Sequence, residues 1–167
     1  MRTGRTGMMD GGECELIREL YPSLRRFAAV VRPPELEPDE LVQEAFYQAL
    51  RRGPLTNLSN PTAYLRRTMA NLASNHRRRL GRGRLALIRS SPGQPVFPEY
   101  PSDVSELLRL PPRSRAVLYM RAVEGRSFPE IAECLGCSEA AARAVDGRAR
   151  RKLRAALFQE EARDARA

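Results

Sequence analysis

The residues able to do chemistry are few. Cys134 and Cys137 stand at C-x-x-C spacing, a pattern that elsewhere holds zinc or cycles a disulfide. A zinc site needs further ligands, yet the third cysteine is Cys14 and the single histidine is His76, both far along the chain. The pair therefore reads as two small residues beside a bend, and three cysteines make no disulfide framework. His76 as a catalytic base would need a nucleophile and an orienting acid, and no such arrangement is visible. Gly81-Arg-Gly83 lacks the pattern of a phosphate-cradling loop. No metal, no cofactor and no enzymatic reaction is expected.

What the chain does carry is arginine. Of its 29 basic residues all but Lys152 are Arg, and the formal net charge is +9. The excess is localised. Residues 66–89 hold eight Arg and no acid, and residues 126–157 hold seven basic groups against four acidic ones. Two cationic patches are the footprint of a polyanion, and guanidinium groups make bidentate contacts to phosphates and base edges. The N-terminal stretch lacks an apolar signal core and no apolar run reaches the roughly 18 residues of a membrane span. A cytoplasmic location without a membrane span is expected.

The elements that must position these arginines read as helices. With 42% apolar residues, 6% aromatics and no Trp in 167 positions, the composition fits one or two small domains and argues against an aromatic-rich sheet. Over 13–31, Leu16, Ile17, Leu20, Tyr21, Leu24, Phe27, Ala28 and Val31 form one apolar stripe. A second helix starts near Pro38-Asp39 and buries Leu41, Val42, Ala45, Phe46, Ala49 and Leu50. Asn60 caps a third, which opens on Pro61 and uses Tyr64, Leu65, Thr68, Met69, Leu72 and Ala73. Periodicity fades from Gly81, and residues 81–102 read as a flexible tether, with a short docked helix through Leu85, Leu87 and Ile88 as the alternative.

In the second half, a helix over 113–123 would bury Ala116, Val117, Met120 and Ala122 or Val123. Ser127 and Glu130 have capping-box spacing, and Gly136 closes the short helix that follows. Ser138 caps a further helix with Ala141, Val145, Ala149 and Leu153 inward and Arg143, Arg148 and Arg151 outward. A short helix, a turn and an arginine-bearing helix make a helix-turn-helix, whose second helix enters the major groove. The expected architecture is all-α: two small helical domains over 1–80 and 103–160, the second containing the helix-turn-helix, with a linker at 81–102 and a tail at 161–167.

Three stretches carry a resemblance. Asp39-Glu-Leu-Val-Gln-Glu-Ala-Phe46 is the first, and Pro61-Thr-Ala-Tyr-Leu65 running to Asn71-Leu-Ala-Ser-Asn-His-Arg-Arg-Arg79 is the second. The third is Leu110-Pro-Pro-Arg-Ser-Arg-Ala-Val117 with Glu124-Gly-Arg-Ser-Phe-Pro-Glu-Ile-Ala132 and Cys137-Ser-Glu139. Together they resemble bacterial extracytoplasmic-function (ECF) sigma factors. The resemblance implies a subunit that directs core RNA polymerase to promoter DNA. Its first domain would dock on core polymerase and help to open the −10 element, and its second would read the −35 element.

Carried over by position, the core-docking residues are Asp39, Glu40, Gln43 and Glu44. Residues for the −10 element are Asn57, Leu58, Ser59 and Asn60 in a base-capturing loop, with Tyr64, Arg67, Asn71, Asn75, His76, Arg78 and Arg79 on the helix behind it. Residues for the −35 element are Arg126, Ser127, Ser138, Glu139, Arg143, Arg148 and Arg151. Asp146 and Gly147 stand where the family commonly has Leu and His, and Asp146 is expected to repel phosphate. An anti-sigma factor is an implied partner. From the residues alone, a stand-alone helix-turn-helix regulator and a basic RNA-binding or interaction module remain open. The sigma reading requires Gln43 and Glu44 outside the core and residues 66–79 free of burial against protein.

Overall fold

The structure is a computed structural model that describes residues 11–88 and 102–164. Among these residues every regular element is helical. The first module comprises α1 (Gly11–Val31), α2 (Pro38–Leu50), a 3-10 turn (Leu55–Asn57) and α3 (Pro61–Ile88). The second comprises α4 (Ser102–Arg109), α5 (Pro112–Ala122), α6 (Phe128–Leu135) and α7 (Glu139–Asp164).

The apolar stripes of the first three helices converge on one core. Leu24, Phe27, Ala28 and Val31 from α1 meet Leu41, Val42, Ala45 and Ala49 from α2 and Leu65, Met69 and Ala70 from α3, all nearly fully buried. Each such Leu or Phe side chain contributes about 1.5–3 kcal/mol of transfer free energy. The caps follow the sequence. Asn60 Oδ1 accepts from the Ala63 amide at 3.0 Å. Ser127 and Glu130 form the reciprocal box at the start of α6, and Gly136 ends that helix in the left-handed region at φ 62°. Ser138 Oγ accepts from the Ala141 amide at 3.1 Å at the head of α7. These caps satisfy the amides that a helix start leaves without partners.

Several expectations are corrected. Helix α3 continues to Ile88, so residues 81–88, read as the start of a tether, are helical. Adding residues to an existing helix is far cheaper than nucleating one, and Arg, Leu and Ala all favour the continuation. The rest of the expected tether to position 101 and the N-terminal stretch 1–10 lie outside the described residues. On α5, Ala122 and Val123 are exposed, whereas Leu118 and Arg115 are buried instead. On α7 the inward stripe is Ala142, Asp146 and Ala149, with Val145 and Leu153 half-buried and Ala141 exposed.

The two modules share a core. Phe27 of α1 meets Tyr119 of α5 edge to face at 6.1 Å between ring centres, and Ile131, Cys134 and Leu135 of α6 belong to the same buried cluster. None of the described helices is long and apolar enough to cross a membrane.

Candidate nucleic-acid interface

A groove of about 720 Å³ lies between α2 and α3. One wall is acidic and amide-bearing, with Glu40, Glu44 and Gln48, and the other carries Arg67, Asn71, Asn75, His76 and Arg79. Gln43 and Glu44 are exposed, and Gln48 Nε2 donates to Glu44 Oε1 at 2.8 Å along the helix. Asp39 and Glu40 are engaged within the fold. Asp39 Oδ1 accepts from the Tyr21 hydroxyl and from Arg25 Nε, which together hold its carboxyl below the usual range. Glu40 Oε2 accepts the Glu37 amide at 2.8 Å as half of a capping box. Of the four expected docking residues, Gln43 and Glu44 are therefore the ones presented outward without a role in starting the helix.

The loop 57–60 leads from the 3-10 turn into α3. Glu13, buried in α1, accepts the Leu55 amide at 2.8 Å and so pins the 3-10 turn beneath the loop. Asn57, Ser59 and Asn60 stay exposed and Leu58 is half-buried. Tyr64, at the open end of α3, accepts from Arg52 Nη1 at 3.0 Å through its hydroxyl. Further along α3, Asn71, Asn75, Arg78 and Arg79 are exposed. Arg78 donates to Asn75 Oδ1 at 2.7 Å, and His76 Nε2 lies 3.8 Å from Glu35 Oε2. Of these residues, Arg52, Tyr64, Asn71, Asn75, His76 and Arg79 line the same groove.

In the second module α6 and α7 form the helix-turn-helix. Arg143 lies 4.6 Å over the Phe128 ring and its Nη2 reaches Glu139 Oε1 at 2.5 Å, four residues earlier. Arg148 and Arg151 are exposed, and Arg148 has no acidic partner among the described residues. Asp146 is turned inward and accepts from Arg150 Nε at 2.8 Å, so the charge that the sequence suggested on the surface of this helix is instead buried and paired. Cys134 is buried and Cys137 half-buried, both free thiols, and burial pushes the Cys134 thiol up, away from thiolate chemistry. No cluster of His, Cys, Asp or Glu suited to a metal occurs among the described residues.

The comparisons with known proteins agree with this division. A family model described as Sigma-70 region 2 matches residues 16–83, and Sigma-70, region 4 matches residues 105–153. An ECF RNA polymerase sigma factor, EcfG of Rhodopseudomonas palustris (strain TIE-1), is 32% identical over 151 residues, covering 86% of this chain and 83% of that protein. The chain belongs to the ECF family of RNA polymerase sigma factors. Its role is therefore in transcription initiation. In fold this ECF sigma factor is similar to the sigma factor RpoE of Bartonella quintana, solved with the anti-sigma factor NepR. That match has a TM-score of 0.66 at 20% identity, over 89% of this chain and 98% of that one. It is also similar to CnrH, solved with the cytosolic domain of CnrY, with a TM-score of 0.56 at 29% identity over 88% of each chain.

One requirement of the sequence reading fails in part. Arg66, at the head of the acid-free stretch, is only 3% exposed and pairs with Glu124 of the second module. Its neighbour Arg67 turns to α6, where Nη2 donates to the Glu133 carbonyl at 2.6 Å. Arg126, expected at the −35 element, gives its Nε to Glu124 at 2.8 Å, and Ser127 spends its hydroxyl and amide on Glu130. Arg66, Glu124 and Arg115 between the modules, like Glu13 beneath the 3-10 turn, are charged residues that sequence reasoning missed. The available signal was the EG turn after α5, but its partner lies 58 positions away in the chain.

Proposed function

We propose that this sigma factor opens and reads a −10 element with the first module and reads a −35 element with the helix-turn-helix, on promoters to which it brings core polymerase. One observation carries the reading. Gln43 and Glu44 stand exposed on α2 while Asn71, Asn75, Arg78 and Arg79 stand exposed on α3, so one module sets a carboxylate-and-amide helix suited to protein beside a cationic, amide-bearing helix suited to DNA. Exposed Asn57, Ser59 and Asn60, with Tyr64 behind them, supply amides and a ring on which an extruded base can stack. Arg148 and Arg151, like Arg143, are exposed guanidiniums of α7 available to base edges or phosphates.

Magnitudes assign the melting step to the holoenzyme. Opening about four base-pair steps costs on the order of 6 kcal/mol at roughly 1.4 kcal/mol each. Stacking one extruded base recovers about 1–3 kcal/mol. One loop with one tyrosine falls short, so core polymerase supplies the remainder and the sigma chain supplies choice of site.

By likeness in fold to a sigma factor solved with an anti-sigma factor, an anti-sigma factor is a further partner of this chain. A pull-down from native cells should recover it beside polymerase subunits, and recovery of polymerase alone would contradict this. The function itself is tested by run-off transcription with purified core polymerase on a library of upstream sequences. A transcript set that shares −10 and −35 sequences is expected. Stable association with core polymerase but no promoter-specific transcript would overturn the proposal.

A further inference from the structure

A second cavity, of about 430 Å³, is lined by residues that neither promoter binding nor polymerase docking uses. Its walls come from the turn after α1, residues 77–81 of α3 and the junction of α4 with α5. Pro33, Leu80, Leu108, Leu110 and Pro112 give it an apolar lining, and Arg77, Arg109 and Arg115 are its cations. The volume falls in the range of small-molecule pockets, about 300–1,000 Å³.

Arg115 is the unusual wall residue. It is 2% exposed, and its Nη2 donates to the Val31 and Arg32 carbonyls at 3.1 and 3.0 Å, which completes the C-terminal end of α1. That task occupies Nη2 alone. Nε and Nη1 are buried with no partner among the described residues, whereas buried polar groups as a rule are bonded. Desolvation, then the neighbouring Arg77 and Arg32, lower the Arg115 pKa to about 10, so the group stays a cation at neutral pH.

Its cationic neighbours lack counter-charges as well. Among the described residues Arg77 donates to the Arg109 carbonyl and Arg32 to the Pro33, Pro34 and Leu36 carbonyls, and neither meets a carboxylate. Arg109 is already paired with Glu106. Glu35 is exposed and lies 3.8 Å from His76 Nε2. Arg32, Arg77 and Arg115 therefore repel one another around a low-dielectric pocket, and one anion placed there would relieve all three.

The lining says which anion. A duplex phosphate meets exposed cations, and Arg115 lies too deep for it. A phosphate group has several oxygens to satisfy, yet the described lining holds no hydroxyl or amide side chain, and its prolines have no N–H. A carboxylate asks for fewer donors and suits a guanidinium. We propose that this cavity binds a small organic acid, whose carboxylate is held by Arg115 and Arg77 and whose apolar body lies on the leucines and prolines.

The test is an NMR amide-shift titration of the isotope-labelled full chain with naphthoate, its uncharged counterpart naphthamide and inorganic phosphate. Naphthoate should shift the amides of Glu35, Leu80, Leu108 and Arg115, with a dissociation constant of about 1 mM or tighter for its roughly 13 non-hydrogen atoms. Naphthamide, without the charge, and phosphate, without the apolar body, should each bind about tenfold more weakly. Arg77→Ala should weaken naphthoate about twofold to fivefold. Leu80→Glu sets a competing carboxylate among the cations and should weaken it about tenfold or more, as should Arg115→Met. If Arg115→Met loses helix signal in circular dichroism, the other two variants decide, since both replace exposed side chains. Equal binding of naphthoate and naphthamide, or an affinity that Arg77→Ala and Leu80→Glu leave unmoved, would overturn the proposal. So would shifts confined to α7, displacement of naphthoate by duplex DNA, or no binding in the low-millimolar range.

Discussion

Replacing Gly136 should expose two separate costs in one position. Its φ of 62° puts the residue in the left-handed region, where an alanine loses about 1–2 kcal/mol. A Cβ built there would also come within 2.7 Å of Arg67 Cζ and Nε, the end of a side chain that can move. Moving it takes Arg67 off the Glu133 carbonyl, a charge-assisted bond held at 2.6 Å. Such bonds contribute about 1.5–3 kcal/mol, and the exposure of this one places it at or below the lower end. Gly136→Ala should therefore destabilise by about 2–3.5 kcal/mol, read as the midpoint of urea unfolding followed by helix signal. Gly136→Asn, which tolerates the left-handed region, should recover most of the strain and none of the Arg67 contact. The decisive arm is Arg67→Ala. If Gly136 and Arg67 are linked as the structure shows, Gly136→Ala in that background costs only the strain, and the pair is non-additive by about 1 kcal/mol or more. Additivity within about 0.5 kcal/mol would refute the reasoning.

Other outcomes follow from the same contacts. Because Glu124 has a lowered pKa in the fold, its contribution is complete above the ordinary carboxyl value of 4.5 and is lost as pH falls through the lower folded value. Acid titration monitored by scattering should loosen the modules below about pH 4.5 while Glu124→Gln shows no such step. Ser127→Ala removes the cap of α6 and should cost about 1 kcal/mol in thermal or urea unfolding. Gln43→Ala with Glu44→Ala should weaken core-polymerase binding in a pull-down without moving the unfolding midpoint, since both side chains are exposed. Arg148→Ala should cost roughly 1–3 kcal/mol at particular −35 bases in binding titrations if it reads a base edge, and a uniform loss across sequences would make it a phosphate contact.

The helices were legible because local chemistry sets them. Apolar residues at three- and four-residue steps gave the stripes of α1, α2 and α3, and Asn60, Ser127, Gly136 and Ser138 each perform the local task that their type allows. What escaped was set by contacts between distant residues. Arg66 reads as one more cation in a basic run, and only its partner Glu124, 58 positions on, turns it inward. Arg115 belongs to the same class, since its acceptors, the Val31 and Arg32 carbonyls, are more than 80 positions away. Asp146 reads as a charge on a DNA-facing helix, yet Arg150 one turn later neutralises it and lets it pack inward. Of the candidate site, the exposed members, among them Gln43, Glu44, Asn71, Asn75 and Arg148, keep the surface position that their proposed roles require.

The most direct measurement is a footprint of the complete holoenzyme, this chain with core polymerase, on a promoter recovered from the upstream library. Two protected blocks should appear, centred roughly 25 base pairs apart, with Arg148→Ala thinning the upstream block and Asn71→Ala the downstream one. A single block, or two blocks that both survive when the sigma chain is left out, would show that paired helical modules on one promoter are not how this protein works.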